Sequence, residues 1–396
     1  MNPNENFSKL QNSYLFVEIA KRTEEFLRNN KDVKLLRLGV GDVTLPLPDA
    51  VIKAMHAAVE EQAQKSTFHG YMPECGTKFL KNAVKDYYLK KDVSLDMQEI
   101  FITSGAGDDI GNILDLFSQD NTALVIEPAY PAYVDTSIIS GHKVIHLASD
   151  ADCGFTPLPD HDIKADIIYI CSPNNPTGAV FSREKLKSWV DYANKTDAVI
   201  IFDAAYEAFV GDSSLPRSIY EIEGSRTCAI EISSLSKTAG FTGMRCGYTV
   251  VPQNLVRKGI NLNAAWKRSR TTKTNGVSYI TQRGAQAALS GEGLAQCMAN
   301  IALYKANAKV LMAALDSCGI KYFGGENAPY IWLCCPGGMS SWQFFDYLLE
   351  KAAVVGVPGE GFGKCGEGYF RLSAFGDPKE TEEAAKRLVK LFGKEK

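Results

Sequence analysis

The chain has 396 residues, a formal net charge of −3 and 45% hydrophobic residues. So balanced a charge gives no reason to expect nucleic acid or an anionic membrane as a partner. A single core rarely grows beyond roughly 250–300 residues, so this length predicts more than one domain. The opening Met1-Asn-Pro-Asn-Glu-Asn6 lacks the apolar stretch of a signal peptide, and no apolar run approaches the ~20 residues of a membrane span. Ten scattered cysteines without C-x-x-C spacing read as buried small hydrophobes in a reducing compartment. The cytoplasm is the expected location.

In chain order, Leu35–Leu38 predicts a lone strand, and Pro48–Thr67 and Lys78–Lys90 predict amphipathic helices. Short apolar runs then alternate with helical segments: Ile100–Thr103, Ala123–Glu127, Ile167–Cys171, Val199–Asp203, Cys228–Ser233 and Tyr248–Val251. Between them Ser182 opens a capped helix that runs to Lys195. The alternation predicts an α/β fold with a mostly parallel sheet flanked by helices. After about Ala285 long helices take over, followed by strands at Tyr330–Cys334 and Tyr369–Leu372 and a last helix at Glu380–Phe392. That change predicts a smaller α+β domain over 286–396, joined by the N-terminal segment 1–47, beside a large domain over 48–285.

Polar clusters fall where strands end, which is where open α/β sheets bind ligands. Ser104-Gly105-Ala106-Gly107 is either a plain glycine turn or a loop offering backbone N–H groups to an anion. Tyr130, after the next strand, is either a packed aromatic or a platform for a flat ring. Asn175 lies in the turn Asn174-Asn-Pro-Thr-Gly178. Asp203 ends an apolar run, where a carboxylate is costly without a cationic or N–H partner. Arg371 is either a surface arginine or a bidentate clamp for a carboxylate.

Ser234-Leu-Ser-Lys237, followed by Gly240-Phe-Thr-Gly-Met-Arg245, sets one lysine on a turn among hydroxyls and glycines, with an arginine eight residues later. A lysine that acts as an amine nucleophile, a loop for an anion and an acid for a ring nitrogen together point to Schiff-base chemistry on a phosphorylated aldehyde, pyridoxal 5′-phosphate. His142 and His146 have i, i+4 spacing in a strand-like run without an adjacent glutamate, so no metal is expected. Gly359-Glu-Gly-Phe-Gly363 and Gly39-Val-Gly41 complete no dinucleotide fingerprint, and no phosphate-binding G-x-x-x-x-G-K-[ST] occurs.

Taken with Lys9-Leu-Gln-Asn-Ser-Tyr14, Leu38-Gly-Val-Gly-Asp42, Tyr130-Pro-Ala-Tyr-Val-Asp135, Asn275-Gly-Val-Ser278, Glu326-Asn-Ala-Pro-Tyr330 and Gly366-Glu-Gly-Tyr-Phe-Arg371, these motifs resemble the fold type I aminotransferases. Within them the chain is most similar to the LL-diaminopimelate aminotransferases. The resemblance runs collinearly from about residue 9 to 380. It implies that Lys237 joins the cofactor aldehyde and shuttles a proton, Asp203 keeps the pyridine nitrogen protonated, and Tyr206 bonds the ring hydroxyl. It further implies that Tyr130 stacks on the ring and that Asn175 touches both cofactor and substrate. The Ala106 and Gly107 amides, Ser234 and Arg245 would hold the phosphate. Arg371, helped by Gly41, would bind the substrate α-carboxylate, and Tyr14 would be a further substrate contact. In a homodimer with shared sites, Tyr71 would reach the neighbour's phosphate, while Glu74 and Asn275 would line the neighbour's substrate pocket.

The implied reaction is exchange of an amino group between LL-2,6-diaminopimelate and 2-oxoglutarate, giving tetrahydrodipicolinate and glutamate, a step of lysine biosynthesis. One departure stands out: the family's loop carries a lysine where this chain has Gly107, beside Asp108 and Asp109. That makes the loop less cationic and keeps a second expectation in play, an aminotransferase of aromatic or small neutral amino acids. A third is a non-catalytic regulator built on the same scaffold. Such proteins carry an additional DNA-binding domain, for which there is no room before Lys9, and the retained Lys237, Asp203, Tyr206 and Arg371 argue for chemistry.

Overall fold

The computed structural model describes residues 1–10, 15–39 and 41–393. The first strand, β1 (Leu36–Arg37), is followed by β2 (Ile100–Thr103), β3 (Thr122–Glu127), β4 (Lys143–Ala148), β5 (Ile167–Cys171), β6 (Val199–Asp203), β7 (Ala229–Ser234) and β8 (Gly247–Val250). Strands β2 to β8 form one seven-stranded sheet in the order β2-β8-β7-β6-β5-β3-β4. All neighbours are parallel except β8, which runs antiparallel between β2 and β7.

The central strands are buried along their whole length because both faces of the sheet are covered. Along β5, Ile167, Tyr169 and Cys171 enter one apolar cluster, and Ile168 and Ile170 enter the opposite one. This is the period-two alternation of a strand. The opposite cluster is closed by the helix Arg183–Thr196, whose Trp189 and Val190 are fully buried. Ser182 caps that helix by accepting the Lys185 N–H at 3.3 Å. Strand β4 lies on the edge and is half exposed, so its polar residues face water.

A small hairpin, β9 (Val256–Arg257) with β10 (Ile260–Asn261), precedes the C-terminal half. There β11 (Tyr322–Gly324), β12 (Tyr330–Cys334), β14 (Val357–Pro358) and β15 (Tyr369–Ser373) form an antiparallel sheet in the order β11-β12-β15-β14. The strand between them in sequence, β13 (Val354–Val355), pairs in parallel with β1. Leu36 and Leu38 accordingly pack with Val354, Phe370 and Leu388 in the C-terminal core. The 28-residue helix Gly291–Cys318 crosses between cores: Ile301 and Tyr304 pack with the large sheet, Ala308 and Leu311 with the C-terminal one. Among the described residues no helix is long and apolar enough to cross a membrane, and no three His, Cys, Asp or Glu side chains gather as a metal site.

Candidate active site

The registers of the large sheet bring its polar strand ends together. Asp203, at the end of β6, lies opposite Cys171 of β5 and Ile232 of β7. Asn175 follows β5 by four residues, while Ser234 ends β7 and leads into the single turn Leu235–Thr238 that carries Lys237. Tyr130 follows β3, and the helix Ala106–Asn112 begins three residues after β2. The chain after β1 brings Gly41 and Asp42 to the same place, and β15 brings Arg371. Together these side chains line a cavity of about 360 Å³, within the size range of small-ligand sites.

One end of the cavity is a cup of N–H and cationic donors. Gly105 precedes the helix at φ +120°, which favours glycine, and a Cβ there would lie 2.7 Å from Arg245 Nη2 and push the guanidinium aside. The Ala106 and Gly107 amides open the helix beside the Arg245 guanidinium. Ser234 Oγ accepts the Ser236 N–H at 3.0 Å, which fixes its rotamer while leaving its hydroxyl hydrogen to donate.

At the closed end, Tyr133 donates its hydroxyl to Asp203 Oδ2 at 2.7 Å and the Ala205 N–H donates to Oδ1 at 3.0 Å. Burial pushes the Asp203 carboxyl upward, and these two donors oppose it. No cationic side chain pairs with Asp203 among the described residues. The Tyr206 and Tyr330 hydroxyls share a hydrogen bond of 2.8 Å. Lys237 donates to the Gly41 carbonyl. Burial brings its amine down to about 8, partly offset by Asp42 and reinforced by Arg371 and Arg245.

Arg371 is 2% exposed. Its Nη1 donates to Asn175 Oδ1 at 2.6 Å and its Nη2 to the Gly39 carbonyl at 2.9 Å, while Nε is buried without a partner in the protein. The guanidinium lies 4.4 Å from the Tyr330 ring and 4.9 Å from the Phe362 ring. No carboxylate pairs with it among the described residues, and burial lowers its pKa.

Of the residues singled out from sequence, Gly41, Ala106, Gly107, Tyr130, Asn175, Asp203, Tyr206, Ser234, Lys237, Arg245 and Arg371 line this cavity. Tyr71, Glu74 and Asn275 do not. Tyr71 is 88% exposed and Asn275 is exposed. Their loops pack together, since a Cβ on Gly276 would sit 2.8 Å from the Pro73 carbonyl. Tyr14 lies outside the described residues. Sequence reasoning missed Tyr133, Tyr330 and Asp42. Tyr133 had a signal in lying one turn after Tyr130 in the same motif, whereas Tyr330 looked like any strand aromatic.

The family model for class I and II aminotransferases matches residues 33–388. The chain belongs to this family. An LL-diaminopimelate aminotransferase of Parabacteroides distasonis is 49% identical over 404 residues, covering 98% of each chain. One of Phocaeicola vulgatus is 50% identical over the same length and coverage. The solved L,L-diaminopimelate aminotransferase of Chlamydomonas reinhardtii is 40% identical, covers 99% of both chains and superposes with a TM-score of 0.93.

This class I and II aminotransferase is an enzyme of pyridoxal 5′-phosphate, and the donor set fits that cofactor. A phosphate needs convergent N–H and guanidinium donors, which the Gly105–Arg245 cup offers. A pyridine nitrogen that must stay protonated needs a desolvated carboxylate, which Asp203 offers. An aldehyde needs an amine that sheds its proton more readily than an ordinary lysine, which Lys237 offers. A carboxylate substrate needs a cationic partner, which the Arg371 guanidinium lining the cavity offers.

Proposed function

We propose that this aminotransferase exchanges an amino group between LL-2,6-diaminopimelate and 2-oxoglutarate, with tetrahydrodipicolinate and glutamate on the other side, in lysine biosynthesis. The observation that carries the substrate is the 48–50% identity, over 98% of this chain, to curated relatives named LL-diaminopimelate aminotransferases. When bound, pyridoxal 5′-phosphate supplies an aldehyde and a conjugated ring that takes up the electrons of the substrate Cα–H bond. In this reading the Lys237 amine would hold the cofactor's aldehyde and would remove and return the substrate Cα proton. Asp203, oriented by Tyr133, keeps the ring nitrogen cationic. Tyr206, held by Tyr330, bonds the ring hydroxyl, and Tyr130 covers the ring. Asn175 contacts the cofactor and steadies Arg371.

Arg371, with the Gly41 backbone beside it, takes the α-carboxylate that donor and acceptor share, so both half-reactions use one pocket. The Ala106 and Gly107 amides, Ser234 and Arg245 hold the phosphate. The reading includes a cytoplasmic homodimer in which Tyr71, Glu74 and Asn275 complete the neighbour's site, with Tyr14 on the substrate. The exposure of Tyr71 and Asn275 supports it. It also includes the division into 1–47 with 286–396 and 48–285, supported by a C-terminal core that holds Leu36 and Leu38, although Ala288, Cys297, Ile301 and Tyr304 pack with the large domain.

Transfer of ¹⁵N from LL-diaminopimelate to 2-oxoglutarate, followed by mass spectrometry, tests the assignment. Labelled glutamate is the expected product. A second reading, other amino acids as donors, is favoured by Gly107, whose side-chain direction meets nothing within 4 Å and carries no charge. Labelled phenylalanine or alanine outpacing diaminopimelate in that assay would establish it.

A further inference from the structure

The segment Gly359–Gly366 connects β14 to β15, the strand that carries Arg371, and it closes on itself. A Cβ on Gly366 would lie 1.9 Å from the Gly359 carbonyl oxygen. Phe362 sits in this loop, buried against Trp332 and the Arg371 guanidinium. The loop is anchored from the other sheet. Glu127, the last residue of β3, turns a largely buried carboxylate towards it. The Cys365 N–H approaches Glu127 Oε2 at 3.5 Å, and the Ala129 N–H donates to the Phe362 carbonyl at 2.8 Å.

Gly363, at φ +110°, lies so near that a Cβ would stand 2.4 Å from the Glu127 carboxyl carbon. His146, on the neighbouring edge strand β4, places Nδ1 2.7 Å from Glu127 Oε1. Burial alone would raise the Glu127 pKa. The contact with His146 and the amides of Cys365 and Lys364 hold it below the usual carboxylate range. An anion in so small an opening, contacted by an imidazole and loop amides, is more than packing requires, because an apolar side chain of that shape would avoid the desolvation cost.

We propose that Glu127, supported by His146, is a positioning residue for substrate binding. It pins the Gly359–Gly366 loop to the large sheet, keeps Phe362 against Arg371, and so holds the guanidinium in the orientation that receives the substrate α-carboxylate. This rests on the reading of Arg371 as the carboxylate binder. The same strand end carries Tyr130 three residues on, so the anchor also ties the carboxylate pocket to the ring platform.

The test is a double-mutant cycle on the holoenzyme with Glu127→Gln, His146→Gln and Arg371→Lys. It reads KM and kcat for two donors, competitive inhibition by butyrate as a bare monocarboxylate, and the thermal midpoint. Glu127→Gln raises KM for both donors and the butyrate inhibition constant together, by about tenfold, the scale of one charge-assisted contact. It changes kcat far less. His146→Gln, a half-exposed site that will fold, shifts the same constants in the same direction by less. In the Arg371→Lys background Glu127→Gln adds little further, because the two residues act through one contact.

A lowered thermal midpoint with unchanged KM and butyrate inhibition overturns the proposal, as does full additivity with Arg371→Lys. If Arg371→Lys itself leaves KM and butyrate inhibition unaltered, the assignment of Arg371 falls, and this inference falls with it.

Discussion

Tyr133 donates its hydroxyl to Asp203 at 2.7 Å inside a wall of buried aromatic and apolar side chains. Tyr133 also stacks on Tyr169, with ring centroids 4.9 Å apart, so the donor is fixed. The pair is a preorganised anion: the orientation of the carboxylate is set before any cation arrives.

If Asp203 holds the ring nitrogen protonated, Asp203→Asn keeps the shape and removes the charge. Single-turnover proton abstraction then slows by several orders of magnitude while cofactor affinity falls less. Tyr133→Phe removes only one hydrogen bond to a charged group, worth about 1.5–3 kcal/mol, and slows the same step by roughly 10–150-fold. An unchanged rate in Asp203→Asn would remove that residue from the role.

The Lys237 amine titrates near 8 in the folded chain against an ordinary 10.5. Between these values the unfolded chain holds a proton that the folded chain has shed, so this group makes the cofactor-free protein more stable as pH rises from about 8 to 10.5. Lys237→Met abolishes that slope. Relative to the wild type it gains up to about 3 kcal/mol below pH 8, less whatever solvent screens the half-buried amine, and the gain shrinks as pH approaches 10.5. Urea melts of both apoproteins across pH 7–10.5 read the difference; parallel curves would contradict the lowered amine.

Gly105 has φ +120°, and a Cβ there would stand 2.7 Å from Arg245 Nη2. Gly105→Ala therefore displaces the guanidinium or the loop, with backbone strain of about 1–3 kcal/mol. Titrating the apoprotein with pyridoxal 5′-phosphate should show a dissociation constant raised at least about tenfold. Wild-type affinity would mean that the phosphate is held elsewhere.

Much of this site is legible in sequence because the chemistry sits at strand ends and strands announce themselves as short apolar runs. Asp203, Ser234 and Lys237 were placed by the ends of β6 and β7, which the structure sets side by side in the sheet. The loop after β2 leads straight into the helix Ala106–Asn112, and its close approach to Arg245 at Gly105 is visible only in the fold.

What escaped depends on pairings between distant segments. Tyr330 looks like an ordinary strand aromatic until β12 pairs with β15 and sets it beside Arg371 and Tyr206. In sequence His146 and Gly359–Gly363 complete no metal or nucleotide motif and so carry no assignment. Their shared partner is Glu127, more than 200 residues from that loop in sequence. The short strands β13 and β14, two residues each, carry too little pattern to be read at all.

If Asn275 completes the neighbour's site in a homodimer, a complementation test follows. Lys237→Ala chains and Asn275→Ala chains are each inactive or nearly so. After subunit exchange the mixed dimers regain activity, because one of the two hybrid sites carries neither change. No recovery after exchange confirmed by mass spectrometry would count against Asn275 acting across an interface.

Glu74 is half-buried, outside the cavity that its own chain forms. If it pairs with the distal ammonium of diaminopimelate in the neighbouring site, Glu74→Gln lowers kcat/KM for that donor about tenfold or more. It leaves glutamate, which has no distal ammonium, nearly unaffected. Equal losses for both donors would assign Glu74 a structural role.

The most direct measurement is the half-reaction of the purified holoenzyme with LL-diaminopimelate, glutamate, alanine and phenylalanine in turn, following the cofactor absorbance by stopped flow. The account predicts that LL-diaminopimelate converts the cofactor to its amine form with the largest kcat/KM, that glutamate also converts it, and that 2-oxoglutarate restores the starting spectrum. No conversion by LL-diaminopimelate, with rapid conversion by phenylalanine or alanine, would contradict it.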